Sequence, residues 1–239
     1  MNIIRTESDR SRRGRVVAAA GGLAVGCCLL FLAGPIAAGA LAALPGDTTA
    51  RDLRHRSALD GEQIVTLIAT RSRAIDRYGA LDWRRELATA SVMPQGDRPV
   101  EQAAIDRATA QTRKALEQAP ASPHDWLRLS ILAAMAGDRP VAADHLSMAL
   151  LTGADMPRLR CSVLDVGFAL WGDLPGETRA ATLTTLRHAW RTGSRNQRRA
   201  LLVGMRDRGL LPLAQLALAQ EDRLQAELDW LRRNRRPAA

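Results

Sequence analysis

The chain has few of the residues that mark common catalytic and cofactor-binding sites. Aromatic residues make up only 3% of its 239 residues, and there are three cysteines and four histidines. Cys27 and Cys28 are adjacent in an apolar run, so the cysteines indicate neither a disulfide framework nor a zinc site. The histidines are His55, His124, His145 and His188. Neither HExxH, P-loop, GxGxxG nor GxSxG patterns occur, and we therefore expect a protein that is not an enzyme and uses no cofactor or metal.

Lysine is also nearly missing, although the formal net charge is +9. Lys114 is the only lysine among 34 basic residues, so the positive charge is almost entirely guanidinium. This charge is spread along the chain, which favours a solvated helical surface and argues against a nucleic-acid site. The densest cluster could instead contact an anionic partner, such as an acidic polysaccharide, because guanidinium pairs with carboxylate or phosphate. It comprises Arg187, Arg191, Arg195, Arg198 and Arg199.

One long uncharged stretch dominates the N-terminal part of the chain. Residues 16–44 carry no charge over 29 positions, and about 20 apolar residues suffice to cross a bilayer as a helix. The arginines just before it are Arg10, Arg12, Arg13 and Arg15. We predict a basic cytoplasmic tail over 1–15 and a transmembrane helix over 16–44, oriented by the positive-inside rule. In a Gram-negative bacterium this helix would lie in the inner membrane, with residues 45–239 in the periplasm.

Two alternatives for the uncharged stretch stay open. A signal peptide could be cleaved at Ala40-Leu41-Ala42, although the apolar run is longer than such peptides need. Ala24-Val25-Gly26-Cys27 resembles a lipoprotein box, but a long apolar stretch follows Cys27 where a polar linker is expected.

Small residues recur within the same stretch at a spacing of four. Ala18, Gly22 and Gly26 would lie on one face of a helix and allow a second helix to approach closely. This spacing predicts a helix–helix contact, either in a homo-oligomer or with a membrane partner.

The rest of the chain favours helices, because its abundant Ala, Leu and Arg lose little side-chain freedom in them. A linker over 45–58 and a helical domain over 59–239 are predicted, with Ser122 as N-cap and Pro123 as first residue of a helix. Apolar spacing and turn residues predict helices over 59–78, 83–92, 99–118, 123–135, 141–151, 159–171, 177–190, 194–206, 211–220 and 222–233. Short helical hairpins bury their apolar faces by stacking, so an all-α fold is expected, either solenoid-like or an irregular helical bundle.

The hairpin around residue 137 resembles a tetratricopeptide repeat. Trp126 and Leu129 match the first helix of that repeat. Its small-large-small second helix is matched by Ala142, Leu146 and Ala149. The resemblance implies a TPR-like stack of hairpins that presents a groove to a protein partner.

This resemblance covers about one and a half repeats and has clear departures from the pattern. Ser130, Ala133 and Ala154 replace the usual Gly, aromatic residue and Pro. Upstream, the second-helix positions are matched by Ala108, Ala115 and Pro120 but not by Thr112.

A second resemblance concerns residues 152–191, which include Leu170-Trp171 and Ala189-Trp190-Arg191. They are similar to small helical membrane proteins that accompany bacterial exopolysaccharide synthesis and export. The implied function is a membrane-anchored, non-catalytic scaffold of the envelope. The alternative is a periplasmic polysaccharide-binding protein that uses the arginine cluster and one or more tryptophans. The tryptophans are Trp83, Trp126, Trp171, Trp190 and Trp230.

Overall fold

The computed structural model describes residues 26–54, 59–93, 100–153 and 156–234. Within these ranges the chain is helical or connects helices, with no strand, which confirms the all-α prediction. It divides into two compact units, Met1–Arg98 and Pro99–Ala239, whereas the sequence predicts one helical domain from residue 59. The tail 1–15, Ala18, Gly22, His55 and Ala154 lie outside the described residues.

Among its described residues, the first unit contains four helices and a short 3-10 turn. Helix α1 covers 26–43 and is followed by the turn Leu44–Gly46, α2 at Asp47–Arg54, α3 at Gly61–Arg77 and α4 at Leu81–Ser91. Among the described residues, one helix near the N-terminus is long and apolar enough to cross a membrane. The helical backbone that begins at Gly26 continues through Leu53, so most of the predicted linker 45–58 is helical.

Local chemistry explains why the linker residues continue the helix. Pro45 occupies the start of the 3-10 turn, where a missing N–H costs nothing, and Asp47 lies in the first turn of α2, where the helix dipole favours a carboxylate. A Cβ on Gly46 would collide with the Thr70 hydroxyl of α3. Gly46 therefore permits a close approach between helices and does not act as a break.

Helices α3 and α4 form the hairpin on which α2 packs. Asp60 caps α3 by accepting from the Gln63 N–H at 2.8 Å, and the Gln63 side chain accepts in return from the Asp60 N–H. Leu67 of α3 is buried together with Ala50 of α2 and Ala90 of α4. This small apolar core holds the three helices together.

The second unit contains eight helices among its described residues. They are α5 Gln102–Gln118, α6 Pro123–Met135, α7 Arg139–Gly153, α8 Pro157–Ala169, α9 Gly176–Thr192, α10 Arg195–Asp207, α11 Leu211–Ala217 and α12 Leu224–Arg233. The predicted cap is confirmed, since the Ser122 hydroxyl accepts from the Asp125 N–H at 3.4 Å and Pro123 opens α6. Gly137 has φ 84° in the tight turn before α7, a conformation that favours glycine.

Consecutive helices of this unit pack in pairs around two apolar clusters. One cluster joins α6 to α9 around Leu146, and the other joins α8 to α12 around Leu186 and Leu202. The buried Ser130 hydroxyl donates to the Ala142 carbonyl at 2.6 Å and so links α6 to α7.

Candidate functional site

Helix α1 carries a continuous apolar surface on its first four described turns. Its large exposed side chains are Leu29, Leu30, Phe31, Leu32, Ile36 and Leu41. Phe31 is 83% exposed and Leu30 is 74% exposed, although burying each would be favourable by about 2 kcal/mol. Exposed apolar patches of this kind mark contact with a membrane or a protein. Gly26, the described member of the small-residue motif, has nothing within 4 Å of its Cβ position.

A buried arginine joins the end of α1 to the rest of the first unit. Arg71 of α3 is only 1% exposed and donates from Nε to Glu86 of α4 at 2.5 Å. Its Nη1 donates to the Ala43 carbonyl at the end of α1 at 2.9 Å, and its Nη2 pairs with Asp47 of α2 at 2.9 Å. One guanidinium thus joins α3 to three other helices, using the planar set of donors that lysine lacks.

Two aromatic side chains contact α1 near the same end. A Cβ added to Gly39 would lie 2.8 Å from Trp83 Cζ3 and 3.0 Å from Tyr78 Cβ. The rings of Tyr78 and Trp83 meet edge to face, with centroids 6.4 Å apart. A glycine at this position allows the ring of Trp83 to lie directly against the backbone of α1.

The arginine cluster predicted to contact an anionic partner lies on α9 and α10. Each of its members also has a contact within the second unit. Arg187 donates to the Ala217 carbonyl at 3.0 Å, and Arg198 donates to the Gly193 carbonyl at 2.6 Å. Arg191, whose side chain is 66% exposed, pairs with Glu221 at 2.8 Å. These contacts tie α9 and α10 to the connections around them.

The remaining two arginines of the cluster share one buried carboxylate. Glu227 of α12 is 4% exposed and accepts from Arg199 Nε at 2.8 Å, and Arg195 Nε lies 3.4 Å from its other oxygen. The Arg199 guanidinium also lies over the Trp230 ring, 4.2 Å from the centroid. Arg199 therefore joins α10 to α12, while Arg195 keeps most of its side chain exposed.

The five tryptophans are distributed over the two units. Trp190 is buried beneath the Arg198 guanidinium, and Arg179 lies over Trp171. Trp126 donates from Nε1 to the Pro120 carbonyl at 2.8 Å. Three of the four tryptophan rings in the second unit are thus covered by guanidinium groups of the same unit, which leaves less ring surface for sugars.

A groove of about 350 Å³ runs between α8, α9 and α10. Arg160, Cys161, His188, Thr192 and Gln197 are among its lining residues. An apolar neighbouring groove shares Cys161, Gln197 and Leu201 and continues along α10. Within the described ranges, no group of three or more His, Cys, Asp or Glu side chains could hold a metal ion.

His145 of α7 lies against Trp126, with ring centroids 5.7 Å apart. Burial lowers the pKa of His145, and the nearby Arg113 charge lowers it further, against smaller opposing effects of Asp144 and Asp138. The folded protein therefore binds fewer protons at this site than the unfolded chain, so stability falls as pH drops through 6.5.

We expect the His145→Gln variant to lose less stability than the wild type between pH 7.5 and pH 5.5, because it removes this protonation from the unfolded state. Thermal unfolding of both proteins at both pH values measures the difference. An identical pH dependence for the two proteins would contradict the assignment.

Comparison with known proteins leaves the site to be interpreted from its geometry. No family model, curated protein or solved structure matches this chain. Of the residues predicted from sequence, the structure brings Arg195 and Arg199 together at Glu227. Arg71 and Glu227 are not among the residues predicted from the sequence. A signal for Arg71 is present, since it continues the apolar 64–67–74 spacing on the buried stripe of α3.

Proposed function

We propose that the chain is a single-pass membrane protein whose helical units form a non-catalytic scaffold for a protein partner in the bacterial envelope. The observation that carries the proposal is the exposed apolar surface of α1, which continues through a helical path into the first unit. Insertion of α1 into a bilayer would remove that surface from water without requiring a second protein. In the proposed topology the N-terminus is cytoplasmic and the helical units are periplasmic, as the basic tail favours.

The helix spacing of the second unit supports a tetratricopeptide-like stack as the scaffold. Helices α6 and α8 have 13 residues each and begin with Pro123 and Pro157, which are 34 residues apart. This is the period of the repeat that the α6–α7 hairpin resembles. Ser147 of α7 contacts Thr178 of α9, so the α6–α7 hairpin is in contact with the helix pair that follows it, as a stack requires.

Measuring the membrane topology of the chain tests directly whether α1 is a membrane anchor. Alkaline phosphatase fused after Ala239 should be active, and an immunoblot should show that the N-terminal segment is retained. A Leu30→Arg/Leu32→Arg variant should lose insertion, because each arginine at the helix centre costs about 2.5–3.5 kcal/mol. Leu151→Arg changes an equally exposed leucine of the second unit and serves as the control. Inactive phosphatase, or a fluorescent fusion that is bright in the cytoplasm, would contradict this topology.

The scaffold function is tested by crosslinking from the groove beside α8. Cys161 is exposed and lines this groove, so in a Cys27→Ala/Cys28→Ala background a thiol-attached photo-crosslinker at Cys161 should capture a defined protein in intact membranes. In the same background, Cys161→Ser/Leu216→Cys places the probe on exposed α11 and should not capture that protein. If both positions capture the same proteins equally, the groove has no specific partner.

Polysaccharide binding is the second candidate, because Arg191 and Arg195 keep about two thirds of their side chains exposed. On this hypothesis the purified chain binds acidic but not neutral polysaccharide in a titration. An Arg191→Ala/Arg195→Ala variant should then bind at least tenfold more weakly, a loss of about 1.4 kcal/mol. No binding at millimolar sugar would exclude this function, including an accessory role in polysaccharide export that requires such contact.

A further inference from the structure

The aromatic pair Tyr78–Trp83 is fixed at one level of α1. The Trp83 ring lies against the backbone at Gly39, and Tyr78 lies beside it with 43% of its surface exposed. Tyr78 directly follows α3 and Trp83 lies in the first turn of α4, so both residues are at the end of that hairpin that contacts α1. The level of this pair along α1 is therefore set by direct contact.

That level lies close to the end of the uncharged stretch. The described side chains over 27–37 are uncharged and exposed, and Leu41 and Leu44 are also exposed. The first charged residue after the stretch is Asp47, about 12 Å along a helix from Gly39. The pair thus lies where an apolar environment along α1 gives way to a polar one.

Tryptophan and tyrosine are the residues that suit such a boundary. Each combines an apolar ring with a polar N–H or O–H, and both are enriched at the headgroup level of membrane proteins. Arg73 and Arg77 occupy exposed positions in the last turns of α3. Their aliphatic stems are long enough to lie along an apolar surface while the guanidinium stays in water. The exposed Asp76 and Asp82 balance part of this charge, so no preference for anionic lipid follows.

The first unit is also held against rotation about α1. Arg71 binds the Ala43 carbonyl of α1, Asp47 of α2 and Glu86 of α4, and Gly46 lies in contact with Thr70 of α3. A hinge in the residues after α1 would break these contacts. Tyr78 and Trp83 therefore cannot leave the level of Gly39 without unfolding part of the unit.

We propose that Tyr78 and Trp83 seat the first unit in the headgroup boundary of the bilayer that α1 crosses. The partner of this surface is the lipid interface on the side of the membrane that holds α2, α3 and α4. The inference rests on the proposed function, since it requires α1 to span the membrane. It adds that the first unit touches the bilayer and does not stand away from it.

Quenching of tryptophan fluorescence by brominated lipid tests this contact. The full chain is reconstituted into phosphatidylcholine vesicles whose acyl chains carry bromine either near the headgroup or near the chain end. We expect bromine near the headgroup to quench more strongly. The Trp83→Phe variant should lose at least half of the quenched emission, whereas Trp190→Phe, which alters a tryptophan buried in the core of the second unit, should lose none of it.

The outcomes separate the two proposals. If the chain floats with the vesicles and resists carbonate extraction but Trp83→Phe is quenched as the wild type is, the anchor stands and the interfacial contact is wrong. If the chain does not float, the membrane-anchor proposal fails first. Should Trp83→Phe not fold, the depth profile of the wild type decides, because stronger quenching by bromine at the chain end overturns the proposal.

Discussion

Replacing Arg71 by alanine is expected to destabilise the first unit by about 3–5 kcal/mol, the usual cost of breaking a buried ion pair. The substitution takes the guanidinium from Glu86, which is itself buried, and from the Ala43 carbonyl. Hydrogen exchange of the α3 and α4 amides in detergent-solubilised full chain measures the loss as a lower opening free energy.

Arg73→Ala is the matched control for this substitution. Arg73 is an exposed arginine of the same helix, and its Nε donates only to the nearby Ala69 carbonyl, so we expect a change below about 0.5 kcal/mol. An Arg71→Met/Glu86→Leu double variant should be more stable than Arg71→Ala, since it removes both buried charges. Equal exchange in Arg71→Ala and Arg73→Ala would refute the role given to Arg71.

Glu227→Ala is expected to destabilise the end of the second unit by about 2–3 kcal/mol, less than Arg71→Ala because Arg199 and Arg195 are partly solvated. The buried carboxylate pairs with both arginines, and its loss also releases the Arg199 guanidinium from its position over Trp230. Hydrogen exchange of the α10 and α12 amides in the full chain reports the change, and Glu227→Gln should fall between Glu227→Ala and the wild type.

Glu221→Ala provides the comparison on the same surface. Its partner Arg191 is two-thirds exposed, and exposed ion pairs contribute about 0–1 kcal/mol. If Glu221→Ala and Glu227→Ala destabilise the chain equally, burial of Glu227 has no energetic importance and the interpretation of the cluster must change.

Local signals made the α6–α7 hairpin predictable. Ser122 supplies a cap, Pro123 fits a first turn and Gly137 permits the turn that follows, so each boundary is encoded by residues next to it. The same kind of signal gave a wrong prediction of a linker at Pro45-Gly46. These two residues usually mark a loop, but here the proline starts a 3-10 turn and the glycine allows Thr70 of α3 to pack against the backbone.

The contacts that define the candidate site depend on residues far apart in the sequence. Arg71 and Arg73 are alike as residues, and only the packing of α1, α2 and α4 around α3 makes one buried and the other exposed. Arg195 and Arg199 were predicted as a surface for anionic partners, but their carboxylate lies 28 or more positions away in α12. Helical periodicity identifies the buried and exposed faces of a helix, but it does not identify the charged residue of another helix with which a given arginine pairs.

The division into two units at Arg98 was not predicted either. Residues 59–93 have about the same content of apolar and arginine side chains as the rest of the chain. Pro94, Gly96 and Pro99 predict a loop after them, but such residues also separate helices within one domain, so they do not predict a boundary between two units. The distinguishing property of residues 59–93 is that they share a core with α2 and a buried arginine with α1.

The contact between Arg71 and the Ala43 carbonyl has a consequence for the order in which α1 and the rest of the first unit fold. The carbonyl belongs to the last turn of α1, so the guanidinium finds this acceptor in place only after that turn has formed. In the proposed topology, synthesis delivers α1 to the membrane before α3 and α4 leave the ribosome. On that proposal the first unit is completed after insertion, and a chain that fails to insert carries an unfinished unit that quality-control proteases can recognise.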